Sequence, residues 1–584
     1  DGQWHHVTGV FDNGLLIIYI DGAPEPSTTG GQTFGSGNTR YGFIGANSEA
    51  TSFDGSRGGG GPVTGEVDDI RIYDRALTQA DIFLVMRGDP RYAWSPSPPN
   101  GSLTGINVAG ALNWSSGDGA SEHDVYFGAD QAAVIDADAS DTTGLYKGRQ
   151  SGASYAPAGV TENSGPYYWR IDEVAGDGSI VKGSVWSFSV ADYVLIEDFE
   201  SYNDIPTGEP GSNLVYIAWV DGFDNPAANG STMGYVTGAS METINVHSGD
   251  KSVPFEYNNT TANVSEVVHT FTPAQNWTEH GAQSLSLWFF GDASNVPGQL
   301  YVKVNGVKVS YDREAANLRI PVWQPWNVDL ASIGVNLQSV TSMAIGIEGA
   351  SATGMLLLDD IRLYPYASVL ITPVQPDPAG LFSHWKFDEG AGAIAQDSSG
   401  SGHDGTLYGD PLWVLGHSEQ ALDFDGTDDY VEYDLGGDQT WTAYSVSVWA
   451  KADALALAQY KSVFSSHTPN NLGFQMDVDG TDPGSYRYYG VVTGTHFYGP
   501  LTTDWVHLAT TCDGTTTILY YNGHQATTID GANLVFNRIG VGLNRNEDNF
   551  YEGIIDEFRI HDRALSPEEI AGLAGLTQPF DKPF

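Results

Sequence analysis

Short runs of apolar and alternating residues, separated by glycine, asparagine, aspartate and proline, dominate this chain. Examples are residues 16–20, 301–304 and 445–449. Closely spaced short strands with turn residues between them are typical of β-sandwiches. The clearest helical signals lie at residues 78–86 and 566–573, and the second begins with a serine cap followed by proline. We therefore predict an all-β protein made of tandem antiparallel β-sandwiches.

An internal repeat organises the chain. Residues 65–77 (GEVDDIRIYDRAL) match residues 553–565 (GIIDEFRIHDRAL), and upstream matches begin at Trp4 and Trp505. The later copy has a front half, residues 384–426, that has no counterpart in the earlier copy. Half a sandwich would expose core and unpaired strand edges. Truncation or processing could explain this, as could completion by a neighbouring subunit, which would build fibres. No signal peptide is visible, so a leader could precede the first residue.

Two proline-rich stretches, residues 94–101 and 372–378, read as stiff linkers. With the repeat, they divide the chain into segments. These are the first unit (1–87), the second unit (88–192), the third unit (193–367), a proline-rich linker (368–379), the C-terminal unit (380–575) and the C-terminal tail (576–584).

The repeat resembles the laminin-G-like, concanavalin A-like lectin/glucanase jelly roll. The resemblance covers the C-terminal unit fully and the first unit as a C-terminal half. It implies two packed antiparallel sheets, and often a calcium ion at one edge. The matching residues are 385–389 (WKFDE), 397–400 (DSSG), 422–426 (LDFDG), 505–507 (WVH) and 555–560 (IDEFRI).

The two middle units resemble other secreted modules. Residues 112–114 (LNW), 123–128 (HDVYFG) and 167–173 (YYWRIDE) make the second unit similar to a fibronectin type III-like domain. The third unit opens with residues 196–200 (IEDFE) and closes with 357–363 (LLDDIRL), and it looks like a carbohydrate-binding-module jelly roll. In such modules the first and last strands lie side by side. Multidomain secreted bacterial proteins combine these units, which implies a location outside the cell or on its surface.

The net charge of the chain limits the classes of partner that it can bind. Acidic residues number 73 against 25 basic ones, giving a net charge of −48. A phosphate backbone would be repelled, so we expect no nucleic-acid partner. No apolar run reaches the roughly 18 residues that a membrane span needs. The lone Cys512 leaves no disulfide within the chain and no thiolate metal site.

Calcium is the cofactor that the resemblance and the acidic charge imply, because calcium binds six to eight oxygens. In the third unit we predict Glu200 and Asp360 as ligands, with Asp198 and Asp359 as second choices. Side chains alternate along a strand, so only one of the adjacent pair is expected to face the site. In the C-terminal unit the candidates are Asp388, Asp397 and Asp556. Solvated acidic strand ends are the alternative for both sites.

Sugar binding uses aromatic rings together with a few polar groups. In the third unit Trp323 and Trp277 sit in turn-rich settings and are the predicted platforms, whereas Trp288 and Trp326 read as core. Packing under a loop is the alternative for either platform. In the C-terminal unit Tyr488 and Tyr498 belong to an aromatic cluster (486–498) that could form a ligand face or a cross-strand ladder.

Catalysis is not predicted. Glucanases of the concanavalin A-like class carry Glu-x-Asp-x-x-Glu on one strand. Here Glu66 and Asp68 begin that pattern, but Arg71 replaces its last acid, and in the second copy Ile554 replaces its first. A glycosidase needs a pair of carboxylates.

We therefore predict an extracellular surface or matrix protein for adhesion and recognition of a polysaccharide or glycoconjugate. Two alternatives stay open. One is the accessory region of a larger secreted polysaccharide-degrading enzyme. The other is a structural filament or surface-layer subunit whose modules bind copies of the same chain.

Overall fold

The computed structural model describes residues 5–12, 15–20, 22–24, 44–45, 63–209, 211–466, 473–480, 483–490 and 494–584. Over these residues the predicted fold class is confirmed, because antiparallel sheets dominate every unit. Trp4 of the predicted repeat lies outside the described residues. The longest described helix has eight residues. No helix in this described part of the chain could cross a membrane.

The first unit contains a strand meander and one helix. Its elements are β1 (Val7–Asp12), β2 (Leu15–Ile20), β3 (Ala23–Pro24) and α1 (Gln79–Met86). The helix begins where the sequence predicts it, with the Thr78 side chain accepting a hydrogen bond from the Asp81 N–H. Ile82 on α1 packs with Val10 and Tyr19 of the meander, so a small apolar core joins the two.

The second unit packs a sheet of order β5-β12-β10-β7-β8, with β11 paired to β10, against a three-stranded sheet of order β4-β6-β9. Residues 94–101 were predicted to be a linker, but Trp94–Ser97 form β4 and pair with β6, so this prediction is wrong. The elements are β4 (Trp94–Ser97), β5 (Ser102–Thr104), α2 (Ile106–Ala109), β6 (Leu112–Ser115), β7 (Ala120–Gly128), α3 (Gln131–Asp136), β8 (Tyr146–Gln150), β9 (Ser154–Tyr155), β10 (Ser164–Ala175), β11 (Ile180–Val181) and β12 (Val185–Val190).

The third unit is a sandwich of two sheets, β15-β16-β23-β18-β21 and β14-β17-β22-β19-β20. As predicted, its first strand pairs with its last, β13 with β23. The elements are β13 (Val194–Glu197), α4 (Val215–Ala218), β14 (Trp219–Val220), β15 (Ser231–Met233), β16 (Val253–Asn258), β17 (Val264–Gln275), β18 (Ser284–Phe290), β19 (Gln299–Val304), β20 (Val307–Ser310), β21 (Trp323–Asp329), β22 (Val340–Glu348) and β23 (Thr353–Tyr364), with 3₁₀ turns at Glu279–Gly281, Ala315–Arg319 and Leu330–Ser332.

The C-terminal unit packs a sheet of order β28-β29-β40-β31-β36-β37-β38, with β25 paired to β40, against β26-β27-β30-β39-β32-β33-β34-β35. Its elements, with the flanking pair β24 and β41, are β24 (Leu370–Ile371), β25 (Leu381–Trp385), β26 (Ile394–Ala395), β27 (Gly405–Tyr408), β28 (Leu412–Leu415), β29 (Gln420–Asp425), β30 (Tyr430–Trp441), β31 (Tyr444–Ala452), β32 (Ser462–Ser465), β33 (Gln475–Val478), β34 (Ser485–Tyr489), β35 (His496–Pro500), β36 (Val506–Cys512), β37 (Thr516–Tyr521), β38 (His524–Asp530), β39 (Leu534–Val541), β40 (Glu552–His561), α5 (Pro567–Leu573) and β41 (Phe580–Asp581).

The third and C-terminal units share one strand plan. In each, the last long strand lies between the first strand and a central strand: β23 pairs with β13 and β18, and β40 pairs with β25 and β31. Both ladders slip at the same place, between Ser286 and Trp288 on β18 and between Ser447 and Trp449 on β31. The slip marks a β-bulge, which inserts one extra residue into a strand.

Neighbouring units are joined by packing as well as by the chain. The second and third units contribute to one continuous apolar core. Asn107 of α2 bonds the backbone of Leu195 with both ends of its amide, at 2.8 Å each. The C-terminal tail connects the third and C-terminal units, because β41 pairs with β24 and the Lys582 carbonyl accepts a bond from Asn327 of β21.

Candidate functional site

The bulge on β23 brings two adjacent carboxylates to one place. Asp360 adopts a positive φ of 46°, and both Asp359 and Asp360 are fully buried. Asp359 accepts the backbone N–H of His247 at 3.0 Å, and Asp360 bonds the His247 ring at 2.5 Å. Strand alternation predicted that only one of the two aspartates could face a site. That prediction is wrong, because the extra residue of a bulge breaks the alternation.

Asp360 is held between His247 and Arg362. Its second oxygen pairs with the Arg362 guanidinium at 2.5 Å, opposite the His247 bond. Burial alone would raise the pKa of Asp360, but the His247 bond and the charge of Arg362 keep it below its ordinary value. Burial and the neighbouring Asp360 charge raise the pKa of Asp359. The pair therefore fixes the ring of His247 in position.

His247 lies at the centre of an aromatic cluster. Its ring stacks on Trp288 with centroids 3.7 Å apart and an angle of 22°, and it meets Trp323 edge-on at 5.8 Å. Both tryptophans are half-buried. Trp288 was predicted to be core, and this is wrong, since it lies at the edge of a cavity. Trp326, at 2% exposure, is core as predicted.

The cavity beside this cluster has a volume of about 370 Å³. Its walls come from three parts of the chain: His247, Trp288 and Trp323 of the third unit, residues 523–528 of the C-terminal unit, and residues 580–583 of the tail. A pocket of this size, walled by aromatic rings with a few polar groups, has the character of a small-ligand site.

The C-terminal unit repeats the aromatic cluster. His417 stacks on Trp449 at 3.6 Å and 14°, and it meets Trp505 edge-on at 5.9 Å. The bulge residue Glu557, with φ of 52°, bonds Arg559, as Asp360 bonds Arg362. Asp556 accepts the Ser418 N–H at 2.9 Å, in the place of Asp359. In this unit His384, and not the stacked histidine, bonds the bulge carboxylate at 2.8 Å.

The predicted calcium ligands of the third unit accept hydrogen bonds from the protein itself. One Glu200 oxygen accepts the backbone N–H groups of Asp250 and Lys251, each at 2.9 Å. Burial raises the pKa of Glu200 to about 7, and the charge of the nearby Asp198 contributes. Within the described residues, the three-residue acidic group with ligand atoms within 4.8 Å of one another is Asp425, Asp428 and Asp429. The ligand atoms of Glu200, Asp198, Asp359 and Asp360 do not form a group that meets this 4.8 Å limit.

The ligand atoms of the three candidates in the C-terminal unit, all of them described residues, do not lie within 4.8 Å of one another. Asp397 holds a turn by accepting the N–H groups of His384, Ser399 and His403. Asp388 accepts the Gln420 N–H at 3.2 Å. Asp556 is fully buried, and burial raises its pKa to about 7, with the charge of Asp388 adding to the shift. Calcium in either unit stays a prediction.

Three predicted ligand-binding aromatics are core residues instead. Trp277 is 1% exposed, and its indole N–H donates to the Gln275 side chain at 2.8 Å. Tyr488 and Tyr498 are 2% and 1% exposed. The Tyr498 hydroxyl bonds Thr510 across the sandwich. None of the three offers a ring face to a ligand, so these predictions are wrong. The fourth predicted residue, Trp323, does line the cavity.

Sequence reasoning missed His247 and His524. A signal for the first was present, because a His-Ser pair occurs at residues 247–248 and again at 417–418, in each case shortly before the strand that pairs with the last one. It also missed that residues 358–363 (LDDIRL) are a third occurrence of the pattern in residues 67–72 (VDDIRI) and 555–560 (IDEFRI).

Comparisons with known proteins bear on the first and C-terminal units. A family model described as the concanavalin A-like lectin/glucanases superfamily matches residues 1–83 and 425–571. No curated protein matches the chain.

Solved structures include several similar folds. Domain 4 of AbnA, a GH43 extracellular arabinanase from Geobacillus stearothermophilus, in complex with arabinotriose, is 23% identical, with 33% of this chain and 98% of that chain covered and a TM-score of 0.27. The receptor-binding domain of botulinum neurotoxin type G is 14% identical, with 34% of this chain and 51% of that chain covered and a TM-score of 0.27. The binding domain of Paraclostridial Mosquitocidal Protein 1 is 16% identical, with 34% of this chain and 52% of that chain covered and a TM-score of 0.29.

The chain thus spans about half the length of these toxin domains. Two stretches of it, in the first and C-terminal units, are similar to the concanavalin A-like lectin/glucanases superfamily, as the repeat predicted.

Proposed function

We propose that this protein is a non-catalytic surface or matrix protein that works outside the cell and binds a polysaccharide or glycoconjugate. The observation that carries the proposal is the cavity of about 370 Å³ walled by Trp288 and Trp323. Indole rings pack against the C–H faces of sugar rings while polar groups fix the hydroxyls. The lectin-like family match and the carbohydrate-bound arabinanase domain are consistent with a binding role.

The remaining units suit presentation of such a site. The three-stranded and larger sheets of the second unit support its interpretation as a fibronectin type III-like spacer. The net charge of −48 keeps like molecules apart unless cations screen or bridge them, which suits a protein exposed to calcium.

The absence of hydrolysis is part of the proposal. In the first unit, Arg71 stands in place of the acid that a glucanase strand would need. Its guanidinium makes two bonds to Asp69, at 2.9 and 2.6 Å.

Binding is tested with the full chain on an array of neutral and acidic glycans. We expect at least one class of glycan to bind and the Trp323→Ala variant to bind it at least ten-fold more weakly. Trp413→Ala is the matched control, because Trp413 is a half-buried tryptophan of the C-terminal unit that does not line the cavity. Equal melting temperatures would show that both variants fold.

Two results would contradict the proposal. One is an array on which no glycan binds. The other is the appearance of new reducing ends when the bound polysaccharide is incubated with the protein.

A further inference from the structure

We propose that the cavity is a composite site, built by the third unit, the C-terminal unit and the tail together, and that it holds a pyranose of a neutral glycan. This inference rests on the proposed function and adds where the sugar sits and of which class it is. Nothing in the sequence pointed to it, since the walls come from residues more than 300 positions apart along the chain.

The three walls are fixed to one another. Asp581 of the tail pairs with Arg313 of the third unit at 3.0 Å, and the Asn327 amide donates to the Lys582 carbonyl at 3.0 Å. Phe584 stacks on Tyr364 with centroids 4.3 Å apart. The wall from the C-terminal unit meets the tail where the rings of His524 and Phe580 lie 4.4 Å apart. The cavity is therefore a preformed space, and a ligand entering it need not order its own binding site.

Two residues that line this space carry buried polar atoms without partners among the described residues. His524, at the start of β38, is 3% exposed, and its Nε2 has no hydrogen-bond partner among the residues that the structure describes. The same holds within those residues for Oδ2 of Asp581, which is 2% exposed. Buried polar groups are nearly always hydrogen-bonded, so such atoms in residues that line a cavity call for a ligand or water close by. Sugar hydroxyls both donate and accept, and they suit a ring nitrogen and a carboxylate oxygen.

Charge selects a neutral sugar. The Asp581 carboxylate lines the cavity, and the whole chain carries a net charge of −48. Burial lowers the pKa of His524 to about 4, so its ring is uncharged at neutral pH. Arg313 is already paired with Asp581. Lys582 is the single lysine or arginine among the lining residues, and it lies next to the Asp581 carboxylate. The wall therefore has no excess of positive charge for an acidic or sulfated sugar, and the charge of −48 disfavours such a ligand, whereas Trp288 and Trp323 accept any pyranose face.

The experiment uses titration calorimetry on the full chain with cellotriose, mannotriose and xylotriose as neutral probes and trigalacturonic acid as the acidic probe. Two variants change the wall that the C-terminal unit provides. Thr528→Trp fills the cavity from an exposed position on its lining. His524→Ala removes the unpartnered nitrogen, and His524→Gln restores a polar side chain. Thr503→Trp, exposed in the same unit and away from the lining, is the control.

We expect a neutral trisaccharide to bind. Thr528→Trp and His524→Ala should each weaken binding at least ten-fold, His524→Gln should recover most of the loss, and Thr503→Trp should bind normally. Because Thr528 is exposed, its variant is informative even if His524→Ala fails to fold. If Thr528→Trp keeps its melting temperature and binds normally while Trp323→Ala does not bind, the site belongs to the third unit alone. The composite site is then refuted, although glycan binding stands. Preference for trigalacturonic acid would refute the neutral class.

Discussion

Replacing Asp556 by asparagine should make the C-terminal unit more stable at neutral and alkaline pH. The Asp556 side chain is fully buried, with one oxygen accepting the Ser418 N–H. Its other oxygen, Oδ1, has no hydrogen-bond partner among the described residues. Asparagine has nearly the same shape and keeps an oxygen for Ser418, but it never ionises.

The magnitude follows from the shift in pKa. Burial raises the pKa of Asp556 from 3.8 to about 7. The protonated form is favoured in the folded state, so the stability linked to this group is complete below pH 4 and is lost as the pH rises through 7. At 1.36 kcal/mol per pKa unit, the loss above pH 7 is about 4 kcal/mol, an order-of-magnitude figure. For a unit of this size that corresponds to roughly 10 °C in melting temperature.

The assay is scanning calorimetry between pH 4 and 8 in buffer that contains a chelator, so that no metal ion masks the effect. The wild-type melting temperature should fall relative to that of Asp556→Asn as the pH rises from 4 to 8. Asp504→Asn is the control, since Asp504 is an exposed carboxylate of the same unit. A difference between wild type and Asp556→Asn that stays constant across this pH range would refute the reasoning.

Two further predictions concern the other sites. Trp277→Ala should lower the free energy of unfolding by about 3–5 kcal/mol, as truncation of a buried aromatic does, because Trp277 is 1% exposed and packs edge-on against Phe271 at 5.9 Å. Chemical denaturation measures this, and a loss below 1 kcal/mol would mean that the ring is not core. If calcium binds near Glu200, EDTA should lower the melting temperature of the wild type but not that of Glu200→Gln. An unchanged wild-type melting temperature would count against calcium there.

The fold could be predicted from the sequence because alternation is a local property. Runs such as residues 445–449 appear in the structure as β31, and both predicted helices occur as α1 and α5 with their caps. Alternation was misleading where both faces of a strand are covered. In β34, Tyr486, Arg487 and Tyr488 are all buried, since the arginine pairs with Asp477 and Asp479. On such a strand, the aromatic residues belong to the core on one face, while the residue between them forms ion pairs on the other face.

The candidate site could be predicted only in part. Trp323 was identified because it begins a strand after a turn, where a large ring can be left half-exposed. The partners of Trp323 come from distant stretches: His247 precedes β16, His524 begins β38, and Asp581 lies in the tail. A pattern within a short stretch of sequence cannot indicate contacts between residues that are so far apart along the chain. The bulge at Asp360 was not predicted either, because the register slip that produces it depends on how β23 pairs with β13 and β18.

The short connection between the second and third units has a mechanical consequence. Strand β12 ends at Val190 and β13 begins at Val194, and of the residues between them Ala191 and Tyr193 are buried. The Tyr193 carbonyl also accepts a bond from Ile106 of the second unit at 3.1 Å. A force applied to the second unit is therefore transmitted to the third unit without a flexible segment between them. This junction thus sets the direction in which that force reaches the cavity.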